Sequence, residues 1–115
     1  MPAEFNIDDE RLDEATHVVA VTGEIDLFTA PEFKRRIAAP IDEGRTRVVI
    51  DLTQVSFIDS SSLGVLIGAH KRLEQRDGGL VIVCDDRAIV NTFKITGLDS
   101  VFEIVSSRAD VPSVP

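Results

Sequence analysis

Two short stretches hold the side chains that could do chemistry. One is Gly23-Glu24-Ile25-Asp26-Leu27-Phe28-Thr29; the other is Phe57-Ile58-Asp59-Ser60-Ser61-Ser62-Leu63-Gly64. In the second, an aspartate and three hydroxyls stand where an apolar run gives way to a helical pattern. Asp59 suits an N-cap, which puts Ser60, Ser61 and Ser62 in the first helical turn, where backbone N–H groups lack intrahelical partners. That turn is also the positive end of the helix dipole and tolerates an anion. Plain capping accounts for such a cluster. So does a modification site, because a phosphoryl group would add about −1.5 to −2 charge there and change the surface a partner meets. In the first stretch, Phe28 precedes Thr29 and has two readings, a partner-binding anchor or a hydrophobic staple on Phe33.

Other chemistries fit less well. A serine on a strand-to-helix turn resembles a nucleophile elbow, but the G-x-S-x-G pattern is missing. Of the two histidines, His17 opens a strand and His70 lies two turns further along the serines' own helix, out of reach of Ser60. Glu24, Asp26 and Asp59 could hold a hard cation, yet their spacing is not that of a metal site and Asp59 already has a capping role. Neither glycine-rich phosphate-loop pattern occurs. By these residues no catalytic constellation, metal site or cofactor site is expected.

The elements that must position these stretches follow from periodicity. Phe5 and Ile7 begin a short strand, Asp8–Glu14 carries turn and charge signals, and His17–Val21 is a second strand paired antiparallel with the first. Thr29 with Glu32 forms a capping-box pattern for a helix carrying Ala30, Phe33, Ile37 and Ile41 on one face, with a kink or early end at Pro40 and a stop at Gly44. Val48–Leu52 is a strand. A second helix opens after Asp59 with an inward stripe of Leu63, Leu66, Ile67, His70 and Leu73, and ends at Asp77-Gly78-Gly79. Leu80–Cys84 is the next strand, Asp86 caps a third helix with Ile89, Val90 and Phe93 inward, Gly97 ends it, and Val101–Val105 is the last strand. Alternating strands and helices after a hairpin predict an α/β fold with a mixed sheet of four to five strands and at least three helices. The domain spans residues 1–105, and 106–115 reads as a short flexible tail.

Composition agrees with one soluble domain. The 115 residues are 43% apolar and 28% charged, and 12 basic against 20 acidic side chains give a net charge of −8. Such a chain repels phosphate backbones and anionic membrane surfaces. Glu4, Asp8, Asp9, Glu10, Asp13 and Glu14 face only Arg11 in the first hairpin, so much of the acidity reads as one solvated edge. The single cysteine, Cys84, sits in an apolar run and reads as a buried, inert thiol in a reducing compartment. With neither a secretory leader nor a run near the ~20 apolar residues of a membrane span, a cytoplasmic location is expected.

The two stretches also carry a family likeness. GEIDLFTAPEF, followed by VVIDLTQVSFIDSSSLGVLIGAHKRL, GGLVIVCDD and FKITGLDSVFEI, resembles the anti-sigma factor antagonists, bacterial single-domain STAS proteins, from about residue 4 to 105. The resemblance implies a STAS-type fold and a regulator that binds an anti-sigma factor serine kinase and so frees a sigma factor. It implies that the kinase phosphorylates the serine after the motif aspartate, here Ser60 with Ser61 as second choice, that this weakens the complex, and that a serine phosphatase restores it. Asp26, Phe28, Thr29, Asp59, Ser60, Ser61 and Ser62 would then form the partner-binding surface, Asp26 either contacting the kinase or positioning the serine. Where this chain has Ser62 the family commonly has glycine, and many relatives end in a longer helix than SSRADVPSVP supplies. The same fold also serves as a non-phosphorylated scaffold or sensor module, the alternative within the family. A monomer or weak dimer is expected, since a free N-terminal strand edge could pair.

Overall fold

The computed structural model describes residues 4–112. In chain order the elements are β1 Asn6–Arg11, β2 Thr16–Ile25, α1 Ala30–Asp42, β3 Arg47–Ile58, α2 Ser60–Glu74, β4 Gly79–Val83, α3 Arg87–Ile95 and β5 Glu103–Val105, with short 3-10 turns at Leu98–Ser100 and Arg108–Asp110. The strands form one sheet in sequential order, β1-β2-β3-β4-β5. β1 is antiparallel to β2, and every later neighbour is parallel. The α/β reading, the N-terminal hairpin and the three helices therefore stand.

Sequential parallel strands joined by right-handed crossovers put all the helices on one face. The core reflects this. Val19, Val21, Val48, Ile50, Leu52, Leu80 and Ile82 pack with Phe33, Ile37 and Ile41 of α1, Leu66, Ala69 and Leu73 of α2, and Ile89 and Phe93 of α3. The alternate strand residues Val18, Val49, Val81 and Val83 form a second, smaller cluster against Val105 and Val111. Both faces of β3 and β4 are thus covered, which is why their sequences are continuously apolar.

Several local expectations are corrected. α1 runs through Pro40 to Asp42: the proline stands in the last turn, so the single intrahelical bond it forgoes lies near the end of the helix. The helix ends in a Schellman arrangement: the Arg45 N–H donates to the Pro40 carbonyl and the Gly44 N–H to the Ile41 carbonyl, with Gly44 at φ +94. β3 continues to Ile58 because two register irregularities against β2 let it carry extra residues and still deliver Val55 and Ile58 to the core. In α2 the buried line is Ser62, Leu66, Ala69 and Leu73, with Leu63, Ile67 and His70 half-buried beside it. Gly78 is required where it stands, since a Cβ there would lie 2.0 Å from the Thr46 carbonyl oxygen. Val101 and Phe102 precede β5 and do not belong to it.

The acidic hairpin is not simply a solvated edge. Asp9 pairs with Arg36 and lies 2.8 Å from His17 Nε2, and Glu10 receives Arg108 at 2.6 Å. The segment after β5 differs from a free tail as well, because Arg108 also donates to Asp51 Oδ2 at 2.7 Å. For Asp9, burial works to raise the carboxyl, but hydrogen bonds from Arg36 and His17 outweigh it and hold it below the usual carboxylate range. Asp51 behaves alike: burial opposes ionisation, and the bonds from Thr53 and Arg108 win. Carboxyls depressed in the folded state contribute stability that is present above their unfolded value of about 3.9 and lost as pH falls through the folded value. The thermal midpoint is expected to drop steeply on acidification below about pH 4, and Asp9→Asn and Asp51→Asn should each flatten that slope.

Candidate functional site

Because β2 and β3 are parallel neighbours with Ile25 opposite Ile58, Asp26 and Asp59 leave the sheet side by side. This is the carboxyl end of the parallel strands, where open α/β sheets gather their binding sites. The two sequence stretches, 34 residues apart between their first members, are joined physically at Ser62. Its hydroxyl donates to the Ile25 carbonyl at 2.5 Å, and the Asp59 N–H donates to its Oγ at 3.3 Å. Ser62 is 0% exposed and ties the start of α2 to the end of β2.

Asp59 is the N-cap of α2: its Oδ1 accepts from the N–H groups of Ser61 at 2.9 Å and Ser62 at 3.2 Å. Ser62 completes the capping box from the other side. Ser60, the first helical residue, is exposed, and Ser61 is half-buried. Among the described residues neither the Ser60 nor the Ser61 hydroxyl makes a hydrogen bond. The three hydroxyls are therefore unequal: one is built into the fold, one sits at its margin and one faces solvent.

Asp26 copies this arrangement. Its Oδ1 accepts from the N–H groups of Phe28 at 2.9 Å and Thr29 at 3.1 Å, and its carbonyl accepts from Ala30 N–H at 2.8 Å. The expected Thr29 capping box is not formed. Thr29 has helical backbone angles, and its hydroxyl donates to the Glu24 carbonyl at 3.0 Å while accepting from Asp26 N–H at 2.9 Å. Asp26 thus organises the entry to the helix that Thr29 was expected to cap, and its turn holds Leu27 and Phe28 outward. Phe28 is 88% exposed while Phe33 is fully buried, so the staple is not made either. Both aspartates engage Oδ1 and leave Oδ2 without a hydrogen bond among the described residues.

The residues missed at the sequence level are Leu27, 68% exposed, and Phe57, 46% exposed. With Phe28 they give this end of the domain an apolar component beside its two carboxylates. The second β3 irregularity explains Phe57, since the extra residue before it turns its side chain away from the core that takes Ile58. Only the exact strand register would have revealed this. Among the described residues, no three His, Cys, Asp or Glu side chains gather as a metal site, and no helix is long and apolar enough to cross a membrane. His70 meets Phe102 edge-on at 5.6 Å and Glu74 at 3.2 Å, within its own packing. Burial, the leading effect at Cys84, pushes its thiol up, away from the reactive thiolate.

Known proteins are similar to this chain in sequence and fold. The STAS domain family matches residues 6–111. An anti-sigma-B factor antagonist of Listeria monocytogenes is 42% identical over 94 residues, covering 81% of this chain and 82% of that one. Among solved structures, an anti-sigma factor antagonist from Mycobacterium paratuberculosis superposes with a TM-score of 0.86 at 29% identity, over 96% of this chain and 94% of its own. The phosphorylated form of the Bacillus cell fate determinant SpoIIAA shares the fold, with a TM-score of 0.72 at 22% identity over 90% of this chain and 95% of its own. Matched across nearly its whole described length in sequence and fold, the chain belongs to the STAS domain family, among the anti-sigma factor antagonists.

Proposed function

We propose that this protein is an anti-sigma factor antagonist whose partner is a serine kinase, and that phosphorylation of Ser60 switches the complex off. The observation that carries the reading is the contrast within the serine run. Ser60 is exposed on the first turn of α2, its hydroxyl unbonded among the described residues, and Ser62 two residues on is fully buried in the fold. A kinase can reach Ser60 without opening the domain, and the capped helix start tolerates the added charge. Ser61, half-buried, is the second choice.

The surface around Ser60 has the make-up of a protein interface. Exposed Leu27, Phe28 and Phe57 supply apolar anchors, and Asp26 and Asp59 supply acceptor oxygens. A partner with basic or helix-start groups complements it while Ser60 is bare. A phosphate added at this carboxylate-bearing end of the sheet overloads the same partner groups with negative charge and bulk. A phosphatase would reverse the change. The domain itself does no chemistry in this scheme, and its place is the cytoplasm, where the kinase and ATP are.

The test is binding of the unmodified protein to a purified anti-sigma factor kinase, with Asp26→Ala alongside. The complex should form, and Asp26→Ala should weaken it by roughly tenfold, because the loop presenting Leu27 and Phe28 loses the two N–H acceptor bonds that fix it. Equal affinity of Asp26→Ala and the parent would remove the loop from the interface.

A further inference from the structure

The helix-free face of the sheet is closed by very little. Across it run two rows of paired residues, Glu10–Val18–Val49–Val81 and Ala20–Asp51–Val83–Val105. Val18, Val49 and Val83 are fully buried there, and Asp51 is only 7% exposed. The three helices pack on the other face, so the cover comes from the chain after β5.

That cover is the segment Ser106–Pro112. Its 3-10 turn is stabilised from within: Asp110 N–H donates to the Ser107 carbonyl, Val111 N–H donates to the Arg108 carbonyl, and the hydroxyls of Ser106 and Ser107 donate to Asp110 Oδ2. Among the described residues, no backbone hydrogen bond joins the segment to a strand. Two side chains hold it down. Val111 packs on the valine cluster. Arg108 spans the two rows, giving Nε to Asp51 at 2.7 Å and Nη1 to Glu10 at 2.6 Å. A cover attached at two points belongs to the low end of a domain's range of local opening free energies.

We propose that Ser106–Pro112 is a latch, closed by Arg108 and Val111, that opens as a unit and uncovers the valine face while the rest of the domain stays folded. The closed state satisfies Asp51, a buried carboxylate on β3 that the serine switch does not use. The face the latch uncovers is an apolar strip with one carboxylate at its centre. This inference is independent of the kinase reading.

The experiment uses the full chain and three variants: Arg108→Gln, Val111→Ser and the double variant Asp51→Asn/Arg108→Gln. Readouts are binding of a hydrophobic fluorescent dye, hydrogen–deuterium exchange of the 106–112 segment, and far-ultraviolet circular dichroism. Arg108→Gln and Val111→Ser should each raise dye fluorescence several-fold and speed exchange in the segment roughly tenfold, with the circular dichroism unchanged. The double variant leaves no buried charge unpaired, so the same rise there reports the open segment alone. Unchanged dye binding and exchange in all three variants would overturn the proposal, because the two side chains would then hold nothing closed. Cooperative loss of helix and sheet signal in the double variant would overturn it too, since the segment would then be integral to the domain.

Discussion

Ser60→Asp is expected to weaken the complex with the anti-sigma factor kinase by at least about tenfold while leaving the thermal midpoint within a few degrees of the parent. The affinity loss follows from placing a third negative group next to Asp26 and Asp59, on a surface whose partner must supply positive or donor groups. The intact midpoint follows from position: Ser60 is exposed, its hydroxyl bonds to nothing among the described residues, and a carboxylate is favourable in a first helical turn. Titration calorimetry gives the first quantity and thermal melting the second. A carboxylate carries less charge than a phosphate, so the phosphorylated protein should be weaker still. Loss of the fold in Ser60→Asp would mean that the serine is part of the structure and that the surface-switch account is wrong.

Ser62→Asp should do the reverse. Ser62 is 0% exposed and its hydroxyl donates to the Ile25 carbonyl at 2.5 Å. A carboxylate there sets acceptor against acceptor, removes the side-chain hydrogen bond that ties α2 to the end of β2, and buries a charge. Buried unpaired charges and orphaned carbonyls together cost on the order of 4 kcal/mol or more. At about 4–8 °C per kcal/mol for a domain near this size, the midpoint should fall by roughly 15 °C or more. Ser62→Ala removes the bond to the Ile25 carbonyl but adds no charge, and should cost about 1–3 kcal/mol. Denaturant unfolding of both variants against the parent measures the difference. If Ser62→Asp melts with the parent, the hydroxyl does not join the two stretches and the inequality of the three serines disappears.

How far the sequence reveals these features depends on the range over which each is determined. The Asp59 cap and the alternation of strands and helices are written locally, in a capping residue followed by a helical stripe and in apolar runs between helical patterns. Asp86 and Gly97 mark the limits of α3 for the same reason. What sequence reasoning misplaced is set by neighbours far along the chain. Thr29 and Glu32 have the spacing of a capping box, but the Glu24 carbonyl and Asp26 claim the threonine hydroxyl first. Phe28 has the spacing of a staple, yet the Asp26 turn directs it to solvent. Phe57 faces out because of irregular pairing with β2, which no pattern within β3 announces. Arg108 looks like part of a tail until Asp51 and Glu10, remote in sequence, are placed under it. Side-chain periodicity reports the local element, and the long-range partners decide which polar group keeps each hydrogen bond.

The most direct test of the account is incubation of the purified protein with a cognate anti-sigma factor kinase and ATP, followed by mass-spectrometric localisation of the phosphate. One phosphate per chain on Ser60 is predicted, absent in Ser60→Ala, present in Ser62→Ala, and accompanied by release of the protein from the kinase. Phosphate retained in Ser60→Ala would contradict the assignment of the switch to Ser60. A bound complex that takes up no phosphate would contradict the switch itself and leave the chain a non-phosphorylated scaffold of the same fold.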